Sequence, residues 1–187
     1  MNKVAIAGSH GVGKTTLAYS LANHFTSLEV ILNTQLARSL IKKGYPLGKE
    51  ASVESYVQYI IAQLRSEQEA EQCDLFISDR TLLDPLSYAM VNSKMGSAVP
   101  QSIIEMIKHI WILELQQYDL YIFVPIEFSM QKDGVRPEGD DYRVSVEEQM
   151  ISLLDENHVN YIRVYGSPDE RKTCAVKAIS SIRESTS

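Results

Sequence analysis

The chain is poor in the features that mark secreted and membrane-spanning proteins. It has two cysteines in 187 residues, Cys73 and Cys174, and their wide separation indicates neither a disulfide framework nor a zinc cluster. No stretch reaches the roughly 18 uninterrupted apolar residues that a bilayer-spanning helix needs. The N-terminus leads into a strand without a basic region or cleavage site. These absences predict a cytoplasmic protein with no membrane partner, in which both cysteines are buried as small hydrophobes.

Positive charge is also scarce. Lys and Arg number 18 against 24 Asp and Glu, a net charge of −6, which argues against broad binding to nucleic acid but leaves a local basic channel open. Hydrophobic residues at 44% and charged residues at 22% are ordinary for a globular chain. Repeats, low-complexity tracts and linkers are lacking. We therefore predict one domain over residues 1–184, followed by a frayed tail at 185–187.

The sequence does contain a phosphate-binding loop. Residues 8–15 read G-S-H-G-V-G-K-T and match the pattern G-x-x-x-x-G-K-[ST] at every specified position. An apolar strand precedes the loop and a helical pattern follows it, which is the context that the pattern requires. Backbone N–H groups of such a loop, with the helix N-terminus, cradle phosphates. The residues expected to bind the nucleotide are Gly8, Gly11, Val12, Gly13, Lys14, Thr15 and Thr16.

Within this loop two side chains have expected roles. Lys14 should reach the β- and γ-phosphates of ATP, and the Thr15 hydroxyl should ligate Mg²⁺. His10 occupies an unspecified position of the pattern, and we interpret it as an exposed spacer.

Five short apolar runs alternate with helical patterns along the chain. The runs are residues 4–7, 30–32, 75–77, 120–124 and 161–164. Flat, short apolar runs are typical of strands that are covered on both faces, and alternation with helices favours a parallel sheet. The predicted fold is α/β, a three-layer P-loop NTPase fold with a five-stranded parallel sheet flanked by helices. Ligands of such sheets bind at the carboxyl ends of the strands.

The third apolar run ends in an acid and an arginine, Asp79 and Arg80. A carboxylate here can hold the Mg²⁺ shell or accept a substrate proton, and an arginine can clamp a phosphate. The alternative is an exposed turn whose two charges pair with each other. Further on, Asp84 before Pro85 indicates a helix N-cap followed by proline at the first helical position.

Residues 130–143, after the fourth run, are rich in glycine, proline and charge and carry Arg136 and Arg143. We predict that this segment is a mobile, arginine-bearing lid that closes over the phosphates. The alternative is a solvated loop that opens a helix over residues 144–157. After the last run, the turn at residues 166–169 could wrap the base of the nucleotide.

The second apolar run ends in neutral groups, Asn33, Thr34 and Gln35. Asn33 is predicted to cap the helix that follows.

The chain resembles the small P-loop kinase family of the nicotinamide-riboside-kinase type, which is similar to thymidylate and deoxynucleoside kinases. The segments that carry the resemblance are G-x-x-G-x-G-K-T-T-L from Gly8, D-R-T-x-x-D-x-x-x-Y-A from Asp79, Y-D-L from Tyr118 and D-G-V-R from Asp133. The resemblance implies MgATP as donor and an acceptor cleft between the Asp79 strand end and the helices at 53–71 and 100–116. It also implies that Asp79 is an acid/base or metal-shell residue and that Arg80 and Arg136 clamp phosphates. The neutral residue Thr34 departs from the family pattern, because many P-loop kinases of nucleosides have a carboxylate at this position to orient the acceptor.

The leading hypothesis is an ATP-dependent phosphotransferase that acts on a hydroxyl- or phosphate-bearing nucleoside-like acceptor. Its predicted catalytic residues are Lys14, Asp79, Arg80, Arg136 and Arg143, and its predicted metal ligands are Thr15 and Asp79. Two alternatives remain open, a kinase of a hydroxymethylated pyrimidine base in DNA and a nucleotide-dependent switch. The sequence also leaves open a homodimer.

Overall fold

The computed structural model describes residues 1–70, 72–127 and 139–186. The strands are β1 Asn2–Ala7, β2 Val30–Asn33, β3 Leu75–Ser78, β4 Leu120–Phe123 and β5 Tyr161–Arg163. The helices are α1 Lys14–Ala22, α2 Leu36–Lys42, α3 Val53–Glu69, α4 Leu83–Lys94, α5 Gln101–Leu115, α6 Gly139–Glu156 and α7 Pro168–Thr186, with a 3₁₀ turn at Gly48–Glu50.

The five strands form one parallel sheet in the order β2-β3-β1-β4-β5, which confirms the predicted fold class. Alternate residues of a strand point to opposite faces, so each face of the sheet has its own core. Val4 and Ile6 of β1 pack with α1 and α7, whereas Ala5 and Ala7 face the larger cluster built with α2 to α6. Because the central strands are covered on both sides, they read in sequence as unbroken apolar runs.

The start of α7 is defined by local chemistry. Ser167 and Glu170 form a reciprocal capping box, in which the Ser167 N–H donates to Glu170 Oε2 at 2.8 Å and the Glu170 N–H donates to Ser167 Oγ at 3.4 Å. Pro168 occupies the first helical position, where its missing N–H does no harm. The start of α7 lies beside the phosphate loop, because Arg171 of α7 donates to the Val12 carbonyl.

Several local expectations differ from the structure. α7 runs on to Thr186, so residues 185 and 186 are helical where a frayed tail was predicted. Cys73 is buried, but Cys174 lies exposed on α7. Asn33 does not cap α2, because the N-cap position is Gln35. The Asn33 amide donates to Gln63 Oε1 and Ser78 Oγ, both at 3.3 Å. Across the described ranges, no helix combines the length and apolar character that crossing a membrane requires.

Candidate active site

The phosphate loop joins β1 to α1, as its sequence predicts. Gly8 follows β1 with φ +141°, and a Cβ built on it would lie 2.3 Å from the Val124 carbonyl oxygen. Gly13 caps α1 with φ +96°. Only glycine adopts such angles without strain, and only glycine fits against the end of β4. Gly11 and Thr16 lie exposed at the mouth of the loop, while Val12 is buried.

Lys14, the first residue of α1, is 4% exposed and folds back on its own loop. Its Nζ donates to the carbonyl oxygens of Gly8 and Ser9, both at 2.7 Å. Burial, with help from the Arg80 charge, lowers the pKa of Lys14 to about 8. The charges of Asp79, Asp84 and Arg143 also act on this ammonium, so the predicted site residues lie close together.

Asp79 and Thr15 face each other across the carboxyl ends of the strands. The Thr15 hydroxyl donates to Asp79 Oδ2 in a short hydrogen bond, and the Asp79 N–H donates to the Asn33 carbonyl at 2.9 Å. Asp79 Oδ1 is buried and has no hydrogen-bond partner within the described part of the chain. Burial raises the pKa of Asp79, against the pull of the Lys14 ammonium. A hydroxyl and a carboxylate with an unused oxygen are ligands that suit Mg²⁺.

Arg80 follows Asp79 with an unusual backbone, φ +132°. Its Nη1 donates to Asp84 Oδ1 at 2.8 Å, and Ser78 Oγ donates to its carbonyl at 2.5 Å. Burial, the largest single effect, would lower the pKa of Arg80, but the Asp84 carboxylate together with the nearby Tyr59, Tyr88 and Asp79 side chains outweighs burial, and the pKa is raised. A positive φ in a residue with a bulky side chain is rare and is typical of functional sites.

Asp84 is not the N-cap that the sequence predicts. α4 begins at Leu83 after Leu82, so Asp84 lies inside the first turn. Its carboxylate holds the Arg80 guanidinium and accepts the Thr81 N–H at 3.3 Å. The helix dipole favours a carboxylate in the first turn as well as at the N-cap, so the acid before Pro85 indicated a helix start without fixing its position.

Glu114 of α5 supports this turn from the core. Its Oε2 and Oε1 accept the Leu82 N–H at 2.9 and 3.2 Å. Glu67 of α3 lies beside it and accepts from Gln63 Nε2 and the Tyr118 hydroxyl, both at 2.7 Å. Burial first, and then the Glu67 carboxylate, raises the pKa of Glu114 well above its ordinary value. The segment that carries Arg80 is therefore tied to two helices of the larger core.

Arg143 is a helical residue of α6 and not part of a loop. It is 2% exposed, and its Nε donates to the His10 carbonyl at 3.0 Å. Of the predicted lid at 130–143, residues 139–143 belong to α6, and residues 130–138 with Arg136 lie outside the described residues. The helix predicted at 144–157 thus begins five residues earlier, at Gly139.

Three features of the site were missed from the sequence. Arg171 of α7 donates to the Val12 carbonyl at 2.7 Å and pairs with Glu127, which also accepts the Gly166 N–H at 2.9 Å. His10 is half-buried, and its Nδ1 lies 3.1 Å from the Tyr88 hydroxyl, so it is not an exposed spacer. No sequence spacing announces these two contacts.

The third missed feature is Tyr19, which lies beside the end of β2. Thr34 Oγ1 and Gln35 Nε2 both donate to the Tyr19 hydroxyl at 3.1 Å. Helical spacing could have revealed its position, because Thr15 and Tyr19 are four residues apart on α1 and share one face.

Comparison with known proteins identifies the family and the fold. A family model described as an AAA domain matches residues 3–171. Among curated proteins, none matches the chain. The structure is similar to that of NadR protein in complex with NR, with a TM-score of 0.74 and 19% identity over 97% of this chain and 51% of NadR. The chain therefore spans about half the length of NadR.

This chain covers two further solved structures over almost their whole length. Deoxyadenosine kinase from M. mycoides has a TM-score of 0.69 and 18% identity, over 96% of this chain and 99% of that one. Thymidylate kinase from Ehrlichia chaffeensis has a TM-score of 0.65 and 13% identity, over 95% and 98%. These similarities establish a shared fold and confirm the resemblance drawn from the sequence.

Proposed function

The chain belongs to the AAA domain family, and from that premise we propose that it is a P-loop kinase that transfers the γ-phosphoryl group of MgATP to a nucleoside- or nucleotide-like acceptor. The observation that carries the proposal is the convergence of Lys14, Thr15 and Asp79 at one edge of the sheet, with Arg80 adjoining them. Phosphoryl transfer depends mainly on alignment and neutralisation of charge, and these groups supply both.

Each group has a role that follows from its position. In the structure the Lys14 ammonium donates to two backbone carbonyls. When ATP binds, it donates to phosphate oxygens instead, and this contact holds the phosphoryl donor against the loop. Thr15 and Asp79 would hold Mg²⁺, and the ion would neutralise phosphate charge when it is bound. Arg80 presents a guanidinium that Asp84 orients, so it can meet a phosphate bidentately.

The role of Arg143 is revised by its burial. Because the Arg143 side chain is buried and its Nε donates to the His10 carbonyl, we propose that Arg143 supports the phosphate loop from α6, in place of a role in a closing lid. A lid function for residues 130–138, and with it a phosphate-clamping role for Arg136, stays a prediction.

The names of the similar structures support the kinase class. NadR was crystallised with NR, and the M. mycoides deoxyadenosine kinase carried dCMP and dCDP as products. At identities below 20% these ligands describe those proteins, and the acceptor of this chain must be measured directly.

The test is transfer of label from MgATP. The full chain is incubated with γ-labelled MgATP and a panel of nucleosides, nucleoside monophosphates, nicotinamide riboside and duplex DNA containing hydroxymethylated pyrimidines. We expect a small acceptor to become labelled, and we expect Lys14→Ala to abolish transfer. Because the substitution also removes two hydrogen bonds from a buried ammonium, Tm should fall, and circular dichroism at the assay temperature must show that the variant is folded. The matched control is Lys177→Ala, an exposed lysine on α7.

The outcomes separate the hypotheses. Labelled DNA alone would establish the base-kinase alternative, which the net charge of −6 disfavours. ATP binding without label on any acceptor would favour a nucleotide-dependent switch. Full transfer by Lys14→Ala would overturn the P-loop mechanism.

A further inference from the structure

The carboxyl end of β2 lies directly beside the acid of the site. Asn33 and Ser78 are register partners in the paired strands β2 and β3, and the Asp79 N–H donates to the Asn33 carbonyl. Thr34 and Asp79 therefore stand next to each other at the same edge of the sheet. Across from them, Thr15 and Tyr19 lie one turn apart on α1 and reach Asp79 and Thr34, respectively.

The Tyr19 hydroxyl has its acceptor capacity filled. A phenolic hydroxyl carries one proton and two lone pairs. Thr34 Oγ1 and Gln35 Nε2 donate to the oxygen, both at 3.1 Å, and the Tyr19 proton has no partner among residues 1–70, 72–127 and 139–186. The side chain is 45% exposed, so this proton is available to a ligand. The hydroxyl is thus arranged as a directed hydrogen-bond donor.

The groups around the Tyr19 hydroxyl strengthen it as a hydrogen-bond donor. Donation from Thr34 and then Gln35 lowers the pKa of Tyr19, and the Arg38 guanidinium of α2 adds to this effect while Asp79 opposes it. A phenol with a lowered pKa is a stronger donor. Thr34 and Gln35, the two residues after β2, are uncharged, so the carboxyl end of this strand has no carboxylate to accept a proton. It offers hydrogen-bond donors, with the Arg38 guanidinium nearby.

We propose that Tyr19, held by Thr34 and Gln35, donates its hydroxyl proton to an oxyanion of the acceptor, and that this oxyanion is a phosphate which receives the phosphoryl group. The inference rests on the proposed kinase function and narrows its acceptor to nucleoside monophosphates. Tyr19 is then a specificity-determining residue, because it distinguishes a phosphate from a neutral hydroxyl.

The chemical step balances without a base at β2. An oxygen of the acceptor phosphate forms a bond to the γ-phosphorus of ATP, the bond from that phosphorus to the bridging β–γ oxygen breaks, and ADP leaves with the electron pair. A phosphate monoester loses its second proton near pH 6, so the attacking oxygen needs no deprotonation at neutral pH. A hydroxyl acceptor would have to give up a proton. Asp79, the carboxylate beside Thr34, is assigned to Mg²⁺ in the proposed function, and Thr34, Gln35 and Tyr19 are set to donate hydrogen bonds instead.

The experiment compares each nucleoside with its own 5′-monophosphate. Binding to the full chain is measured by isothermal titration calorimetry for thymidine and dTMP, deoxyadenosine and dAMP, deoxycytidine and dCMP, and deoxyguanosine and dGMP. Transfer from labelled MgATP is measured on the same pairs. The variants are Tyr19→Phe, which removes only the hydroxyl, and Thr34→Val, which removes one of its partners.

The control is Tyr161→Phe. The Tyr161 hydroxyl also has two side-chain partners, Asp155 at 2.7 Å and Arg163 at 3.0 Å. It lies on β5, the outer strand on the opposite side of the sheet from β2. We expect wild type to prefer one monophosphate over its nucleoside by about tenfold or more, and Tyr19→Phe to lose about tenfold in monophosphate affinity, the usual effect of removing a hydrogen bond to a charged group. Nucleoside binding and the KM for ATP should stay within about twofold, as should every constant of the control.

Three results decide the matter. Labelled nucleosides with unlabelled monophosphates would overturn the inference and leave the kinase function standing. A Tyr19→Phe variant with the wild-type preference for monophosphate would overturn the role of Tyr19. If no acceptor were labelled here or in the wider panel described above, the kinase function would fail, and the titrations would still support or overturn the oxyanion contact on their own.

Discussion

Gly8 is the position of the phosphate loop where a side chain should do the most damage. A Cβ there would lie 2.3 Å from the Val124 carbonyl oxygen and 3.2 Å from Val12 Cγ2. The oxygen belongs to backbone that is held in place, since the Val124 N–H donates to Ala7 at 2.8 Å. Gly11 of the same loop is the matched control, because its φ is also positive, +75°, yet nothing lies within 4 Å of its added Cβ.

The two alanine substitutions share one penalty and differ in the other. Placing an L-residue at positive φ costs roughly 1–2 kcal/mol at either position. Overpacking against fixed backbone adds about 1–3 kcal/mol at Gly8 alone. Gly8→Ala should therefore lower the free energy of unfolding by about 2–5 kcal/mol and Gly11→Ala by about 1–2 kcal/mol. In a chain of this length 1 kcal/mol shifts Tm by about 2–4 °C, so the Gly8 variant should melt about 2–12 °C below the Gly11 variant.

Both variants and wild type are melted without nucleotide by circular dichroism at one scan rate, and urea unfolding checks that the m-value is unchanged. Nucleotide is left out because ligand binding would stabilise the variants unequally. If Gly8→Ala and Gly11→Ala melted at the same temperature, the close approach of β4 to the loop would not be the constraint at Gly8, and the positive φ alone would explain its glycine.

Three further predictions concern charged groups. Asp79→Asn should lower kcat by roughly 10²-fold or more with little change in ATP affinity by calorimetry, and normal turnover would make Asp79 a simple turn residue. The pKa of Glu114 is raised on folding, so its protonated form stabilises the folded state. This stabilisation is complete below the ordinary pKa of about 4.3. It is lost as pH rises toward the raised pKa, by up to about 1.4 kcal/mol per pH unit. Glu114→Gln should flatten that loss in urea titrations at several pH values, and an unchanged slope would contradict it. Arg143→Ala should lower both Tm and kcat, because it deletes a buried charged hydrogen bond worth about 1.5–3 kcal/mol; loss of kcat at constant Tm would restore a lid role.

The fold could be predicted because its signals are local. Each of the five strands was recognised as a short apolar run, since a parallel strand covered on both faces must be apolar throughout. The phosphate loop could also be predicted from the sequence, because Gly8 and Gly13 have positive φ angles that other residues rarely adopt. The start of α6 was misjudged because Gly139, Asp140 and Asp141 are typical of loops, and burial of the residues behind them overrides that preference.

The sequence by itself determined which chemical groups this protein has and where each stands along its strands and helices: a phosphate loop, an acid and an arginine after β3, and neutral groups after β2. Only the tertiary structure decided which of them meet. Arg143 reaches the His10 carbonyl across 133 residues, and Arg171 reaches the Val12 carbonyl across 159. Contacts of this kind depend on how whole helices pack on the sheet, and the pattern around one residue carries no information about a partner brought to it by packing.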